Sequence, residues 1–170
     1  DDILYSPLGQ KKYEYSDLGY YLFQDYLERK YQKPLDDLAN ESLYQPMGLR
    51  FTAYNPLGKF DKHQIIPTER DRIYRNQLLH GFVHDQGAAM MGGVAGHAGL
   101  FSTAQDLAKI MQMYLNGGSY GGIQFFKPEV VSEFIRSQFA GNRRGAGFDK
   151  MSGKTDCKCP SGESLGHTGF

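Results

Sequence analysis

The chain has 170 residues, enough for one domain with a real core and too few to make two ordinary domains. Its 19 basic and 19 acidic side chains cancel and no run of like charge stands out, so nothing favours a nucleic-acid or anionic-membrane surface. No apolar stretch reaches the roughly 18 residues that cross a bilayer, and the start, Asp1-Asp2-Ile3-Leu4, has no basic region leading into an apolar core.

Residues 17–32 place Leu18, Tyr21, Leu22, Tyr26 and Leu27 at three- and four-residue spacings, with Asp25, Glu28, Arg29 and Lys30 largely opposite. That pattern predicts an amphipathic helix. Pro34 suits a first helical position, and Leu35, Leu38 and Leu43 extend a stripe until Pro46-Met47-Gly48 stops it, which predicts a second helix. Over residues 50–92 Pro56, Gly58, Pro67, Gly81 and Gly87 break the period, and the expectation is irregular structure with a short helical turn. The glycines of 92–101 permit tight turns and close backbone approach.

Ser102 or Thr103 then offers a cap oxygen, with Gln105 or Asp106 three residues on. Leu107, Ile110, Met111, Tyr114 and Leu115 mark the apolar face of a third helix that ends at Gly117-Gly118. Pro128-Glu129 opens a fourth over 127–139, on Val130, Val131, Phe134 and Ile135. Past Gly141 the chain turns polar and Gly-rich, with short strands expected at 146–151 and 165–170. The pattern reads as a mainly α chain, α+β overall, and as a single partial domain over 1–170. Cys157-Lys158-Cys159 is too tight for an unstrained disulfide and lacks a second pair for zinc, which leaves a polar loop with two free thiols.

Three segments carry the chemistry: Tyr15-Ser16-Asp17 before one helix, Gly96-His97-Ala98-Gly99-Leu100-Phe101-Ser102 before another, and His167-Thr168-Gly169 at the end. Their order and separation resemble the serine β-lactamases and penicillin-binding proteins of the class C type, in which a Ser-x-x-Lys element supplies nucleophile and base. A Tyr-x-Asn element and a Lys-Thr-Gly or His-Thr-Gly strand complete the site. Pro67-Thr68-Glu69-Arg70 and Val83-His84-Asp85 are similar to esterase-like and peptidase-like members, and to the domain found behind a family-3 glycosidase module of β-N-acetylglucosaminidase type.

The resemblance implies the helical subdomain of a β-lactamase/transpeptidase-like fold ending at the His-Thr-Gly strand, and a covalent serine mechanism that needs no metal or organic cofactor. It implies a small-molecule ester, amide or peptide substrate, cell-wall fragments among them, and a periplasmic or secreted setting. Tyr15 would relay a proton between nucleophile and leaving group, or else simply pack at the head of its helix. Asp17 replaces the usual Asn, exchanging a donor for a group that only accepts, and it could equally cap the helix. His167 replaces a permanently charged lysine with a side chain partly charged near neutral pH, which argues against efficient penicillin hydrolysis. Thr168 would offer a hydroxyl, Gly169 room for substrate, and the Phe170 N–H half an oxyanion hole; the alternative for this triplet is a surface turn. His97 either lines the cleft and contacts substrate or holds the Gly-rich turn.

No serine has a lysine three residues on. The resemblance therefore implies that the nucleophile lies upstream of this chain, and that the 170 residues alone are catalytically silent. Rival motifs are weak. Gly162-Glu163-Ser164-Leu165-Gly166 has the form of a nucleophile elbow without the buried strand before it and helix after it. Gly153-Lys154-Thr155 echoes a phosphate loop but has Phe148 where the first glycine belongs, and His80 and His84 have the spacing of a metal-binding helix with Gly81 where a glutamate base is needed. A reading of another class is a non-catalytic module that holds peptidoglycan fragments or a partner in a degenerate cleft.

Overall fold

A computed structural model describes residues 5–7, 9, 10, 12–150 and 164–167. They fall into two compact units, 1–109 and 110–170.

In the first unit α1 (Leu18–Tyr31) ends at Gln32, whose left-handed backbone (φ 53°) aims its N–H at the Glu28 carbonyl. Its buried residue is Gln24, while Leu18, Leu22, Phe23 and Tyr26 stay exposed. The expected apolar face thus packs only in part in this unit: Tyr21 and Leu27 are half-buried, and Tyr21 together with Gln24 turns a mixed face toward the Gly-rich segment. Pro34 caps rather than opens α2 (Leu35–Ala39), with ψ 151°, and the helix runs on into one π-helical turn, Asn40–Tyr44.

Residues 50–92 are built from short pieces. β1 (Ala53–Tyr54) precedes two 3-10 turns, Pro56–Gly58 and Lys62–Gln64. β2 (Glu69–Asp71) and β3 (Gln77–Leu79) form an antiparallel hairpin, followed by α3 (Gln86–Met90). His80 and His84 lie in the loop between β3 and α3, so the metal-helix spacing is not realised. β4 (Leu100–Phe101) closes back on β1, pairing Ala53 with Phe101 and Tyr54 with Leu100. Before it Gly99, at φ 109°, would place any Cβ 2.3 Å from the Gly93 carbonyl oxygen, which leaves room only for hydrogen. Val83, Ala88 and Ala95 are buried together beneath this segment.

α4 (Ala104–Leu115) opens on Thr103, whose Oγ1 accepts from the Asp106 N–H at 3.3 Å. Buried Asp106 accepts from the Phe51 N–H at 2.7 Å and Thr52 Oγ1 at 3.2 Å, tying the start of α4 to the approach to β1.

In the second unit Met113 is fully buried, and Gly117 and Gly118 return their N–H groups to Tyr114 and Met113. β5 (Ser119–Tyr120) and β6 (Ile123–Gln124) form a hairpin, and α5 (Pro128–Ile135) packs Val131 inward. Tyr114 meets the edge of Phe148 at 4.9 Å. β7 (Asp149–Lys150) pairs with β8 (Leu165–Gly166), two-residue strands within the expected stretches 146–151 and 165–170. Asp149 faces Arg143 Nε at 2.9 Å as an ion pair, without an aligned hydrogen bond on that oxygen.

The fold is mainly helical with short two-stranded sheets. Among the described residues no helix is long and apolar enough to cross a membrane, and no group of three His, Cys, Asp or Glu could hold a metal ion.

Candidate active site

Tyr15, Ser16 and Asp17 lead directly into α1. Ser16 Oγ accepts from the Leu18 N–H at 3.2 Å, and the Asp17 carbonyl accepts from the Tyr20 N–H at 2.9 Å. Asp17 holds the cap position, yet its carboxylate makes no cap hydrogen bond. The helix dipole favours a negative charge there, but capping does not occupy the side chain. Tyr15 is 60% exposed.

One turn further on, Tyr21 packs its ring on the His97 imidazole, with centroids 4.7 Å apart. His97 Nε2 lies 3.0 Å from Asp85 Oδ1 and 3.4 Å from Tyr21 Oη. A carboxylate only accepts, so Nε2 carries the proton and donates to Asp85, and the longer phenol approach is mainly ring packing. The His97 side chain is only 4% exposed, and Nδ1 meets no hydrogen-bond partner among the described residues. Asp85 Oδ1 also caps α3, accepting the Ala88 N–H at 2.7 Å.

Burial pushes the Asp85 carboxyl up, but the Ala88 N–H and His97 outweigh it and hold it below its ordinary value. Tyr21 moves the other way: burial first, then the charges of Asp85 and Asp17, raise its phenol. Tyr21 is therefore neutral near pH 7, and it feels both carboxylates.

Gln24 completes this face of α1. Its Oε1 accepts the Gly96 N–H at 3.1 Å, and its Nε2 donates to the Val94 carbonyl at 3.2 Å and to Glu28 Oε1 at 3.1 Å. Asp85 is placed from its other side by Arg75, which donates to the Val83 and His84 carbonyls at 2.7 and 2.6 Å and to Asp71 Oδ2 at 2.9 Å. Asp71 also gathers the N–H groups of Ile73, Tyr74 and Arg75. The Tyr74 N–H and the Arg75 guanidinium hold its carboxyl far below the usual range.

A concavity of about 560 Å3 in this unit is lined by Asn55, Leu57, Phe82, Val83 and Gly93. It is not lined by Tyr15, Asp17 or His97, and Arg75, its one charged side chain, is engaged with Asp71 and two carbonyls.

A sequence profile of the beta-lactamase family matches residues 4–170. The chain belongs to the beta-lactamase family. It is 39% identical over 94% of its length to the Escherichia coli K12 protein named "Putative D-alanyl-D-alanine carboxypeptidase", and 37% identical over 98% to the Salmonella gallinarum protein of that name. It spans about 40% of the length of these relatives. Among solved structures it resembles the D-amino acid amidase of Ochrobactrum anthropi SV3, with TM-score 0.59 and 17% identity over 84% of this chain and 40% of that one. It also resembles the octameric penicillin-binding protein homologue of Pyrococcus abyssi, with TM-score 0.56 and 16% identity over 83% of this chain and 30% of that one. At these identities the likeness is one of fold, and it is a partial match to the β-lactamase/transpeptidase fold.

Of the residues singled out in the sequence, His97 packs against Tyr21 in the first unit, and the charge of Asp17 reaches the same phenol. His167 follows β8 in the second unit and is exposed. Thr168, Gly169 and Phe170 lie outside the described residues, as do Cys157, Cys159 and Gly153-Lys154-Thr155. Ser164 immediately precedes strand β8, where a nucleophile elbow would need a helix. Sequence reasoning passed over Tyr21 and Gln24 as support. The available signal was the 17, 21, 24, 28 spacing, which puts four polar or phenolic side chains on one helical face.

Proposed function

We propose that the chain is part of a serine acyl hydrolase acting on D-amino-acid peptides, amides or esters through an acyl-enzyme, with a Ser-x-x-Lys element supplied elsewhere in the intact protein. The observation that carries this reading is the Asp17 carboxylate at the head of α1, two residues after Tyr15, at the cap position and not engaged in capping. Tyr15 relays the proton between nucleophile and leaving group, and Asp17 accepts from substrate N–H groups. His167 and Thr168 bind substrate on the closing strand, Gly169 gives it room, and the Phe170 N–H supplies half of the oxyanion hole. The names of the relatives support D-alanyl-D-alanine peptides, and the fold neighbour's name supports D-amino-acid amides.

The test is covalent labelling of the intact protein with a fluorophosphonate probe, alongside hydrolysis of a D-alanyl-D-alanine peptide. Labelling at a Ser-x-x-Lys serine with turnover is expected, and no labelling of the 170 residues alone. A labelled Ser164 would shift the assignment to an elbow hydrolase. An intact protein that binds cell-wall fragments but neither labels nor turns over is a binding module instead.

A further inference from the structure

We infer that Gln24 and His97 are positioning residues that clamp α1 to the Gly-rich segment and thereby fix where the Tyr15-Ser16-Asp17 turn stands. The inference rests on the proposed acyl-hydrolase reading for what that turn does, but the clamp itself is read from contacts.

The exposed apolar side of α1 does not seat the helix in this unit, with Phe23 66% exposed. Polar contacts on the opposite face do. Gln24 is 5% exposed and uses its amide as a strand would use its backbone, taking the Gly96 N–H and giving to the Val94 carbonyl two residues away. Two bonds of opposite sense to residues i and i+2 fix both the rotation and the height of the helix against the segment, which one bond could not do.

The second point is Tyr21. Its ring is held on His97, and His97 is held by Asp85, itself fixed at the head of α3. The fit leaves no slack: a Cβ on Gly87 would fall 2.1 Å from Tyr21 Oη. Tyr54 Oη secures the segment from the far side through the Ala95 carbonyl at 3.2 Å. The two points sit one and two turns below Asp17 on a single helix, so a shift at them is carried along α1 to its head, where Asp17 holds the cap position. His97, buried and committed to Asp85, acts through Tyr21 and does not touch substrate.

Gln24→Glu keeps length and acceptor but turns a charged oxygen toward the Val94 carbonyl and toward Glu28. His97→Asn removes the second point. Gly87→Ala displaces Tyr21 from His97 while keeping every polar side chain of the clamp, its Cβ also standing 3.3 Å from Asp85 Oδ1, and serves if either of the others fails to fold. In the intact protein, turnover of a D-alanyl-D-alanine peptide, normalised to fluorophosphonate-labelled sites, should fall about 10-fold or more, since displacements near 1 Å carry losses up to about 100-fold. Part of the Gln24→Glu loss should return at low pH, as the new carboxyl protonates and regains a donor. Amide exchange over the first turn of α1 should accelerate about 10-fold relative to α5, a readout that needs no activity.

Unchanged exchange in Gln24→Glu and His97→Asn overturns the clamp. Faster exchange with unchanged turnover per labelled site overturns the positioning role and leaves a structural contact. Failure of the wild-type protein to label refutes the acyl-hydrolase reading, and the exchange result then decides the clamp by itself.

Discussion

Asp17 is the residue on which substrate preference should turn. In the proposed reading it stands where the family pattern has an amide, and its charge reaches Tyr21. An acceptor-only side chain suits a substrate ammonium or N–H and repels a carbonyl oxygen. Asp17→Asn in the intact protein should therefore shift the ratio of kcat/KM for free-amino over N-acylated D-amino-acid substrates about 10-fold toward the acylated ones, a difference of about 1.4 kcal/mol. The same substitution removes one of the charges that raise the Tyr21 phenol, so its titration, followed by ultraviolet difference spectra, should move down toward the ordinary tyrosine value. An unchanged substrate ratio with a moved phenol would place Asp17 near Tyr21 but away from substrate.

At the scale of elements, what is local was legible and what is long-range was not. α4 could be located by its apolar face and by a hydroxyl three residues before Asp106, and Thr103 does accept the Asp106 N–H. Thr103→Ala should cost about 1 kcal/mol of stability, read as a lower denaturant midpoint at unchanged slope. A cost near zero would mean that Ser102, now bonded to Thr52, takes over the cap. α5 was legible in the same way, and of the C-terminal strands the positions were legible but not their pairing. β1 and β4 were not, because two-residue strands separated by nearly fifty positions carry no period of their own. The β5–β6 hairpin left a signal in Gly121-Gly122, which suits a tight two-residue turn. In α1 the helix was legible and its inward face only in part: of the apolar set Leu18, Tyr21, Leu22, Tyr26 and Leu27, Tyr21 and Leu27 turn inward, and the residue buried beside them is a glutamine. Periodicity counts apolar side chains and cannot register an amide that bonds another segment's backbone. His97 was legible as a candidate, but its partner Asp85 was not, since only the folded segment brings them to 3.0 Å.

For the whole molecule, equal numbers of acids and bases leave stability against pH to a few specific groups. Asp71, Asp85 and Asp106 all have folded values below the ordinary carboxyl value. A depressed acid contributes stability that is present above its unfolded pKa and lost as pH falls toward the folded one, so the acid limb should begin below about pH 4 to 5. All three lie in the unit of residues 1–109. Tyr21, Tyr44, Tyr54 and Tyr114 are raised, chiefly by burial. A raised phenol contributes stability present below its unfolded value near 10 and lost as pH climbs through the folded one. The alkaline limb therefore involves both units, since Tyr114 belongs to 110–170. Melting temperature should hold a plateau from about pH 5 to about pH 9 and fall on both sides. On the acid side, resonances of Leu79 and Ala88 should lose native dispersion at a higher pH than that of Val131. Asp71→Asn, which removes the charge receiving three backbone N–H groups and Arg75, should lower the plateau and flatten the acid limb. Val131 changing first would show that the three carboxylates do not set the acid limit.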